Sequence, residues 1–221
     1  MARHDVFVTG ATGYLGRALV PALLARGHTV RALVRPASAA RLAAGALPVT
    51  GDALAAASFR DAVAPADTFV HLVGTPRPTP FKGRAFRAVD LVSIKAALDA
   101  AVHAGVRHFV YLSVAHPAPI MAAYIAVRKE GEALLRASGL KATIVRPWYV
   151  LGPGHYWPFA LAPAYGVLER LPATREMALR LGLVTLAEMT AALVEAVENP
   201  PETARIIGVP EIARATMRNS A

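Results

Sequence analysis

Two kinds of hydrophobic pattern alternate along this chain: short continuous apolar runs, and apolar residues repeated every three or four positions. The run at residues 6–8 predicts a strand buried on both faces, and the repeat from Leu15 to Leu23 predicts a helix directly after it. We therefore expect one domain over residues 1–221, with an α/β fold built on a doubly wound, mostly parallel sheet. The alternation predicts further strands at 28–34, 46–50, 68–73, 109–113, 142–146 and 205–209, and further helices at 86–104, 121–138 and 185–198.

The pattern changes beyond Gly154, where aromatic residues and prolines replace the regular spacing as far as residue 172. Rigid apolar side chains of this kind are typical of a ligand pocket or a subunit contact. His155 and Tyr156 therefore either line a substrate pocket or serve packing alone. A capping box, Thr185-x-x-Glu188, then starts the helix at residues 185–198. We expect residues 152–221 to contribute a small C-terminal substrate lobe.

A glycine-rich turn, Thr9-Gly10-Ala11-Thr12-Gly13-Tyr14-Leu15-Gly16, joins the first strand to the first helix. Gly10 suits a tight turn, Gly13 leaves room for a diphosphate at the main chain, and Gly16 allows close packing of helix and strand. The free N–H groups and the helix dipole then face the phosphates. A strand, this motif and a helix in succession predict a dinucleotide-binding Rossmann unit. Besides the glycines, we predict cofactor contacts at Thr12, Tyr14 and Leu15.

The kind of dinucleotide depends on the end of the second predicted strand, which reads Val34-Arg35-Pro36. An acidic residue there would bind both ribose hydroxyls of NAD, whereas a basic residue suits the 2′-phosphate of NADP. Arg35, assisted by Arg41, therefore predicts NADP rather than NAD, unless it is an ordinary solvated arginine. Asp52 either accepts a hydrogen bond from the adenine amine or caps the following helix. The remaining cofactor positions that we predict are Ala53, Val73, Gly74, Arg128 and Pro147.

Composition and charge narrow the classes of function. The 221 residues are 55% hydrophobic and include no cysteine, which excludes disulfides, thiolate metal sites and cysteine nucleophiles. The net charge of +9 is scattered along the chain, so it favours an anionic cofactor over nucleic acid. No apolar run is long enough for a membrane span, and the first strand follows Met1 too closely for a signal peptide. We expect a cytoplasmic protein without a membrane span.

The histidines do not have the spacing of a metal site. His103, His108 and His116 lack carboxylates at ligand spacing, so we predict no metal. His71 falls within the fourth predicted strand and is interpreted as a core or sheet-face histidine rather than a catalytic base.

Three residues near the fifth predicted strand carry the candidate chemistry. Tyr124 and Arg128 are four positions apart on one helix face, and Ser113 ends the preceding strand. At these residues the chain resembles the short-chain dehydrogenase/reductases, in particular their atypical NAD(P)H-binding branch with its NmrA-like and epimerase-like members. The resemblance covers residues 6–210 and rests on the glycine-rich turn, Val110-Tyr111-Leu112-Ser113, residues 132–140, Val145-Arg146-Pro147 and Gly152-Pro153.

The resemblance implies a role for each of these residues. In active members a serine orients the substrate oxygen, a tyrosine transfers the proton, and a lysine four residues later holds the nicotinamide ribose. Ser113 and Tyr124 match the serine and the tyrosine, but Arg128 stands where the lysine is expected. Lys129 cannot replace it, because one further position on a helix turns the side chain by about 100°. Arginine keeps a fixed positive charge but cannot release its proton, so a lysine-based proton relay is lost.

Two functions therefore stay open from the sequence. The first is an NADP-dependent oxidoreductase acting on a small carbonyl or quinone-like molecule, with Ser113, Tyr124 and Arg128 in the catalytic roles. The second is a non-catalytic NADP(H)-binding redox sensor or assembly factor, in which Tyr124 and Arg128 are ordinary neighbours on a helix surface. The apolar helices before Gly105 and Gly139 are also suited to a homodimer interface.

Overall fold

Parallel strands form the two sheets of the protein, in a computed structural model that describes residues 2–154 and 172–218. In chain order the strands are β1 (Asp5–Thr9), β2 (Thr29–Val34), β3 (Leu47–Thr50), β4 (Thr68–His71), β5 (His108–Leu112), β6 (Lys141–Val145), β7 (Tyr149–Leu151), β8 (Leu183–Thr185) and β9 (Ala204–Ile207). Seven of them make the central sheet, in the order β3-β2-β1-β4-β5-β6-β9, and β7 pairs with β8 in a separate small sheet.

Helices cover both faces of the central sheet. The longer ones in the described residues are α1 (Gly16–Ala25), α2 (Val92–His103), α3 (Ala122–Ala137), α4 (Pro172–Arg180), α5 (Leu186–Glu198) and α6 (Val209–Arg218). Successive side chains of a strand point to opposite faces, so Val6 and Val8 of β1 pack with α1 and α5, whereas Phe7 packs with α2 and α3. This double burial explains why the inner strands β1, β4, β5 and β6 are largely apolar in the sequence, whereas the edge strands β3 and β9 are more exposed.

The order of the strands creates a crevice at one end of the sheet. From β1 the chain proceeds outward through β2 to β3, and it then returns to place β4 on the other side of β1. The connections leaving β1 and β4 therefore diverge at their carboxyl ends, where open α/β sheets bind their ligands. Thr9 at the end of β1 lies between Leu33 of β2 and His71 of β4.

The predicted α/β class with a doubly wound parallel sheet is confirmed, and each predicted strand and helix is present with slightly different bounds. The predicted helix at 86–104 begins as a π-helical turn, Phe86–Leu91, before α2. The final predicted strand stops at Ile207 because α6 begins at Val209. The capping box is confirmed, since Thr185 and Glu188 exchange both hydrogen bonds at the start of α5.

Some elements have no counterpart in the sequence prediction, namely α4, α6 and the β7–β8 sheet. His155 and Tyr156 lie outside the described residues, so their proposed place in a substrate pocket stays a prediction. The single domain over residues 1–221, with residues 152–221 contributing a small substrate lobe, also stays a prediction. Within residues 2–154 and 172–218, no helix combines the length and the hydrophobicity that crossing a bilayer requires.

Candidate cofactor groove and active site

The glycine-rich turn between β1 and α1 is built from close backbone contacts. Gly10 has a φ of +80°, and a Cβ there would lie 2.9 Å from the carbonyl carbon of Leu72. The amide of Gly13 donates to the carbonyl of Gly10 over 3.0 Å, which closes the turn. A Cβ at Gly16 would overlap the carbonyl oxygen of Gly10 and lie 2.5 Å from the carbonyl of Ala11. Gly10 and Gly16 are therefore required by the backbone itself, before any ligand is considered.

A groove of about 590 Å³ opens above this turn, at the carboxyl ends of β1, β2 and β4. The predicted cofactor positions Tyr14, Leu15, Gly16, Arg128 and Pro147 lie outside its lining. Gly13 faces it with no Cβ, so a diphosphate can approach the start of α1 there. The groove thus has the place and the shape that a dinucleotide needs. The predicted positions that line it are Gly10, Thr12, Gly13, Arg35, Asp52, Ala53, Val73 and Gly74.

The end of the groove beside β2 is basic. Arg35 and Arg41 both line it, and the Arg41 Nη2 donates to the hydroxyl of Ser38 over 2.8 Å. Ser38 is only 4% exposed, so it anchors Arg41 at the groove wall. Asp52 is the one acidic residue in the described part of the lining, and its Oδ1 accepts from the amide of Leu54 over 3.0 Å. That bond assigns Asp52 to a local turn after β3.

Arg128 lies beneath the groove rather than in it. Its side chain is 2% exposed and runs from α3 under Gly74, where a Cβ would overlap the guanidinium. Its Nη1 donates to the carbonyl of Leu112 over 2.8 Å, and its Nη2 lies 3.4 Å from the carbonyl of Val73. The same Nη2 forms an ion pair with Asp90 over 2.6 Å. Arg128 therefore ties the ends of β4 and β5 together.

Asp90 completes this buried ion pair, and the sequence analysis did not single it out. It is fully buried in the π-helical turn, and its Oδ2 accepts from the amide and the hydroxyl of Thr75 over 3.0 and 2.5 Å. A signal was available: Phe86, Asp90 and Ile94 recur at four-residue spacing on the apolar side of the helix. π-Helical turns are also frequent at functional sites.

Ser113 makes its hydrogen bond inside the protein. Its hydroxyl is buried and donates to the Oε1 of Glu132 over 2.6 Å. Arg146 contacts both carboxylate oxygens of Glu132, and the Arg136 Nη2 lies 3.2 Å from Oε2. Burial opposes the charge of Glu132, but the hydrogen bonds from Arg146 and Ser113 outweigh it and lower the pKa of that carboxyl. In this arrangement the Ser113 hydroxyl can accept a hydrogen bond from a ligand but has no proton left to donate.

Tyr124 lies beside Arg128 on α3, as their spacing predicts. Its half-buried ring packs on Phe86, with the centroids 4.9 Å apart, and the Arg128 guanidinium lies 5.1 Å from its centroid. Burial opposes the charged state of Arg128, but Tyr124, Tyr111 and Asp90 around it raise its pKa. Tyr124 therefore has a permanent positive charge against its ring.

Two other predicted cofactor residues act as supports. Pro147 is buried, and its carbonyl accepts from the amide of Ala115 over 2.9 Å, so it joins the loops that follow β5 and β6. The Tyr14 hydroxyl packs against Gly152, where a Cβ would overlap it. Both residues fix the loops around the groove from outside its lining.

His71 is confirmed as a core histidine. It is fully buried, with Nδ1 2.8 Å from the Thr9 hydroxyl and Nε2 3.3 Å from the Ser93 hydroxyl. Burial, helped by the charge of Arg128, lowers the pKa of His71 to about 3. A histidine that stays neutral at physiological pH and has both ring nitrogens engaged serves as a spacer between β1, β4 and the π-helical turn.

Comparison with known proteins agrees with this geometry. Residues 10–154 match the model of the NAD(P)H-binding family. The chain is 32% identical to a ceramide reductase of Caulobacter vibrioides over 217 residues, which cover 96% of this chain and 65% of the relative. It is 31% identical over 170 residues to 4-hydroxy-2-methyl-3-oxo-4-farnesyl-3,4-dihydroquinoline-1-oxide ketoreductase of Stigmatella aurantiaca, covering 66% and 50%. The chain therefore spans about half to two thirds of these curated relatives.

Solved structures show the fold. The enzyme WbmH of Bordetella bronchiseptica, in complex with NAD+, superposes with a TM-score of 0.69 at 20% identity, over 100% of this chain and 83% of that one. The UDP-glucose 4-epimerase of Thermus thermophilus, in complex with NAD, gives a TM-score of 0.69 at 18% identity over 96% and 81%. The matched family segment contains residues 10–16 of the glycine-rich turn, the groove and Arg128, and it is more than half of the sequence. The chain thus belongs to the NAD(P)H-binding family and has the fold of the short-chain dehydrogenase/reductases.

Proposed function

We propose that the chain is an NADP(H)-dependent reductase of the short-chain dehydrogenase/reductase type that acts on the carbonyl group of a lipophilic molecule. The observation that carries the proposal is the groove above the glycine-rich turn, which combines a phosphate cradle with a basic end. Family membership supports the binding of a nicotinamide dinucleotide. The names of the relatives, a ceramide reductase and a ketoreductase, support carbonyl reduction.

The preference for NADP over NAD rests on charge at the end of β2. Arg35 and Arg41 face the groove where the adenosine ribose lies in this fold, and Ser38 fixes Arg41 in position. A guanidinium binds a phosphate through two parallel hydrogen bonds. The 2′-hydroxyl of NAD offers no charge to either arginine, so the two cations favour the phosphorylated cofactor.

Calorimetric titration with NADPH and NADH tests this preference. We expect Arg35→Ala and Arg41→Ala each to weaken NADPH binding by about tenfold, because each removes a charge-assisted contact, and to leave NADH binding nearly unchanged. Arg31→Ala is the matched control, because Arg31 lies in β2, the strand directly before Arg35, but outside the groove lining. Equal losses for NADPH and NADH would contradict the assignment of these arginines to the 2′-phosphate.

Tyr124 is the proposed proton donor. Bound NADPH would supply a hydride to the carbonyl carbon. The Tyr124 hydroxyl would give its proton to the carbonyl oxygen, so that the product is an alcohol, and would regain a proton from water. The positive charge of Arg128, 5.1 Å from the ring, stabilises the negative charge that Tyr124 carries in between. Asp90 neutralises part of that charge, so the help is weaker than an unpaired cation would give.

The relatives also support the substrate class. The two names specify a ceramide and a farnesyl-bearing quinoline oxide, which both join a polar group to long hydrocarbon chains. We therefore propose a carbonyl or quinone-like group on a lipophilic molecule, in place of a sugar nucleotide.

A non-catalytic NADP(H)-binding module is the second candidate, and the contacts of two residues favour it. Both terminal nitrogens of Arg128 are engaged, by Asp90 and two carbonyl groups, and Ser113 gives its proton to Glu132. Neither residue is free for the role that the family resemblance implies. A protein that holds the cofactor without turnover would have no use for those roles.

Single-turnover oxidation of NADPH in the presence of long-chain ketones and quinones separates the two candidates. We expect turnover by the parent protein, and a loss of at least about a hundredfold in Tyr124→Phe, which keeps the ring packing on Phe86 but removes the proton. Tight NADPH binding without turnover in the parent, and turnover in Arg128→Lys, would instead establish the second candidate. Absence of NADPH binding would contradict both.

A further inference from the structure

The loop between β4 and the π-helical turn exposes a single large aromatic side chain. Phe81 is 96% exposed, the highest value among the large exposed hydrophobic residues of the described chain. We call residues 76–87, which include the helical turn Gly83–Ala85 and the first two residues of the π-helical turn, the docking loop. A phenylalanine in open water gains no burial energy from the fold itself, and its ring is available to a partner.

The docking loop is a closed structure that keeps Phe81 exposed. Three prolines, Pro76, Pro78 and Pro80, restrict the backbone before it. The Lys82 ammonium donates to the carbonyls of Pro76 and Arg77 over 2.9 and 3.0 Å, which closes the loop on itself. The loop is therefore already ordered with Phe81 exposed. Binding a partner then costs little further conformational entropy.

Charge identifies the partner. Residues 75–89 contain four basic residues and no acidic one. Arg87 lies 3.6 Å from Glu130, but within residues 2–154 and 172–218 no carboxylate pairs with Arg77 or Arg84. An exposed aromatic ring between unpaired cations is the arrangement that anchors proteins to the surface of an anionic bilayer, with the ring among the acyl chains and the cations at the phosphates.

The docking loop adjoins the candidate active site. Pro76 lines the cofactor groove, and the ring of Phe86 packs against the ring of Tyr124. A Cβ at Gly83 would lie 3.7 Å from that of Ala123, so the loop packs on the first turn of α3. The segment leading into that turn exposes a second large apolar residue, Ile120, to 51%. The docking loop therefore packs on the same helical turn that holds Tyr124.

We propose that the docking loop binds the surface of an anionic phospholipid bilayer, with Phe81 inserted at the level of the acyl chains and Arg77 and Arg84 at the headgroup phosphates. The part of this inference that concerns the substrate rests on the proposed function, because a lipophilic carbonyl compound would reside in that bilayer. The part that concerns membrane binding rests on the docking loop alone. Docking through this loop brings the first turn of α3, which holds Tyr124, to the membrane surface.

Vesicle flotation of the full chain tests the proposal. The probes are vesicles of phosphatidylcholine alone and vesicles in which one third of the lipid is phosphatidylglycerol. We expect binding to the anionic vesicles only, weakening with added salt because the screening length shortens. Phe81→Ser should reduce the partition coefficient about tenfold, and Arg84→Glu at least about fivefold.

Matched controls come from the opposite end of the sheet. Val102→Ser removes an apolar side chain exposed at the end of α2, and Lys141→Glu reverses a charge at the start of β6. Both should bind vesicles like the parent. Failure of the parent to bind anionic vesicles, equal binding to both lipids, or unchanged binding of Phe81→Ser would overturn the proposal.

The same variants are titrated with NADPH in lipid-free buffer. Because the docking loop carries the vesicle contact and the groove carries the cofactor, Phe81→Ser and Arg84→Glu should keep the parent's NADPH affinity. Lost NADPH binding in the parent would contradict the proposed function and leave the vesicle result standing, so the two failures are distinguishable.

Discussion

At the scale of single residues, Arg128 determines how the candidate active site is built. Its planar guanidinium reaches Asp90 and the carbonyls of Val73 and Leu112 at the same time, which the point charge of a lysine cannot do. Gly74 belongs to this arrangement, because any Cβ there would overlap the guanidinium. Residues 74, 90 and 128 therefore depend on one another, and the arginine is a structural element as well as a charge beside Tyr124.

Asp90→Asn should destabilise the protein strongly. The substitution leaves the guanidinium of Arg128 buried without its counter-charge, for which we expect a loss of about 3–5 kcal/mol in the free energy of unfolding. Asp99→Asn is the control, because Asp99 is exposed on α2 and should change the value by no more than about 0.5 kcal/mol. Urea denaturation at neutral pH measures both. Similar values for the two variants would mean that Arg128 finds another partner when Asp90 loses its charge.

At the scale of elements, the glycine-rich turn sets the distance between β1 and α1, and two of its glycines have separable roles. A Cβ at Gly16 would overlap the backbone of Gly10, whereas a Cβ at Gly13 would lie 3.1 Å from the same carbonyl oxygen and face the groove. The first glycine is a requirement of the fold. The second is a requirement of the ligand, because its missing side chain makes room for phosphate.

Gly16→Ala and Gly13→Ala should therefore fail in different ways. We expect Gly16→Ala to lower the free energy of unfolding by at least about 2 kcal/mol, because α1 must move away from the strand. Gly13→Ala should lose less than about 1 kcal/mol but bind NADPH far more weakly than the parent. Urea denaturation and NADPH titration on both variants give the comparison. A stable Gly16→Ala protein with normal NADPH binding would contradict the packing argument.

The elements that the sequence predicted are those whose constraints are local. A run such as residues 6–8 must be buried on both faces, and the glycine spacing of the turn follows from backbone contact. The pairs Arg128–Asp90 and Ser113–Glu132 join residues 38 and 19 positions apart, and no local pattern encodes such pairing. Likewise, β7 and β8 have three residues each, too few for a recognisable period.

At the scale of the whole molecule, two buried histidines lie at opposite ends of the central sheet. His71 ends β4 near the groove, and His108 begins β5, where its Nε2 lies 2.9 Å from the Thr143 hydroxyl. Burial lowers the pKa of His71 to about 3 and that of His108 to about 4. The charges of Arg128 and His4, respectively, act in the same direction. Both histidines are therefore neutral in the folded protein at neutral pH.

The two histidines make the fold sensitive to mild acid. In the unfolded chain they bind protons near the ordinary pKa of 6.5, but the folded protein resists protonation until about pH 4 at His108 and about pH 3 at His71. The unfolded state therefore binds more protons as the pH falls. The contribution of each neutral histidine to the free energy of unfolding is complete above about pH 6.5. It decreases by about 2 kcal/mol between there and pH 5.

His108→Gln should remove the part of this loss that His108 contributes, about 2 kcal/mol between pH 7 and pH 5, because glutamine can still donate to Thr143 but does not titrate. His103→Gln is the control, since the His103 side chain is half exposed, and it should keep the pH dependence of the parent. The carboxyls of Glu132 and Glu198 do not obscure the result. Their pKa values are lowered from 4.5, so their contributions are lost only at more acidic pH. Urea denaturation between about pH 7 and pH 5 measures the slope, and an unchanged slope in His108→Gln would assign the acid sensitivity to other groups.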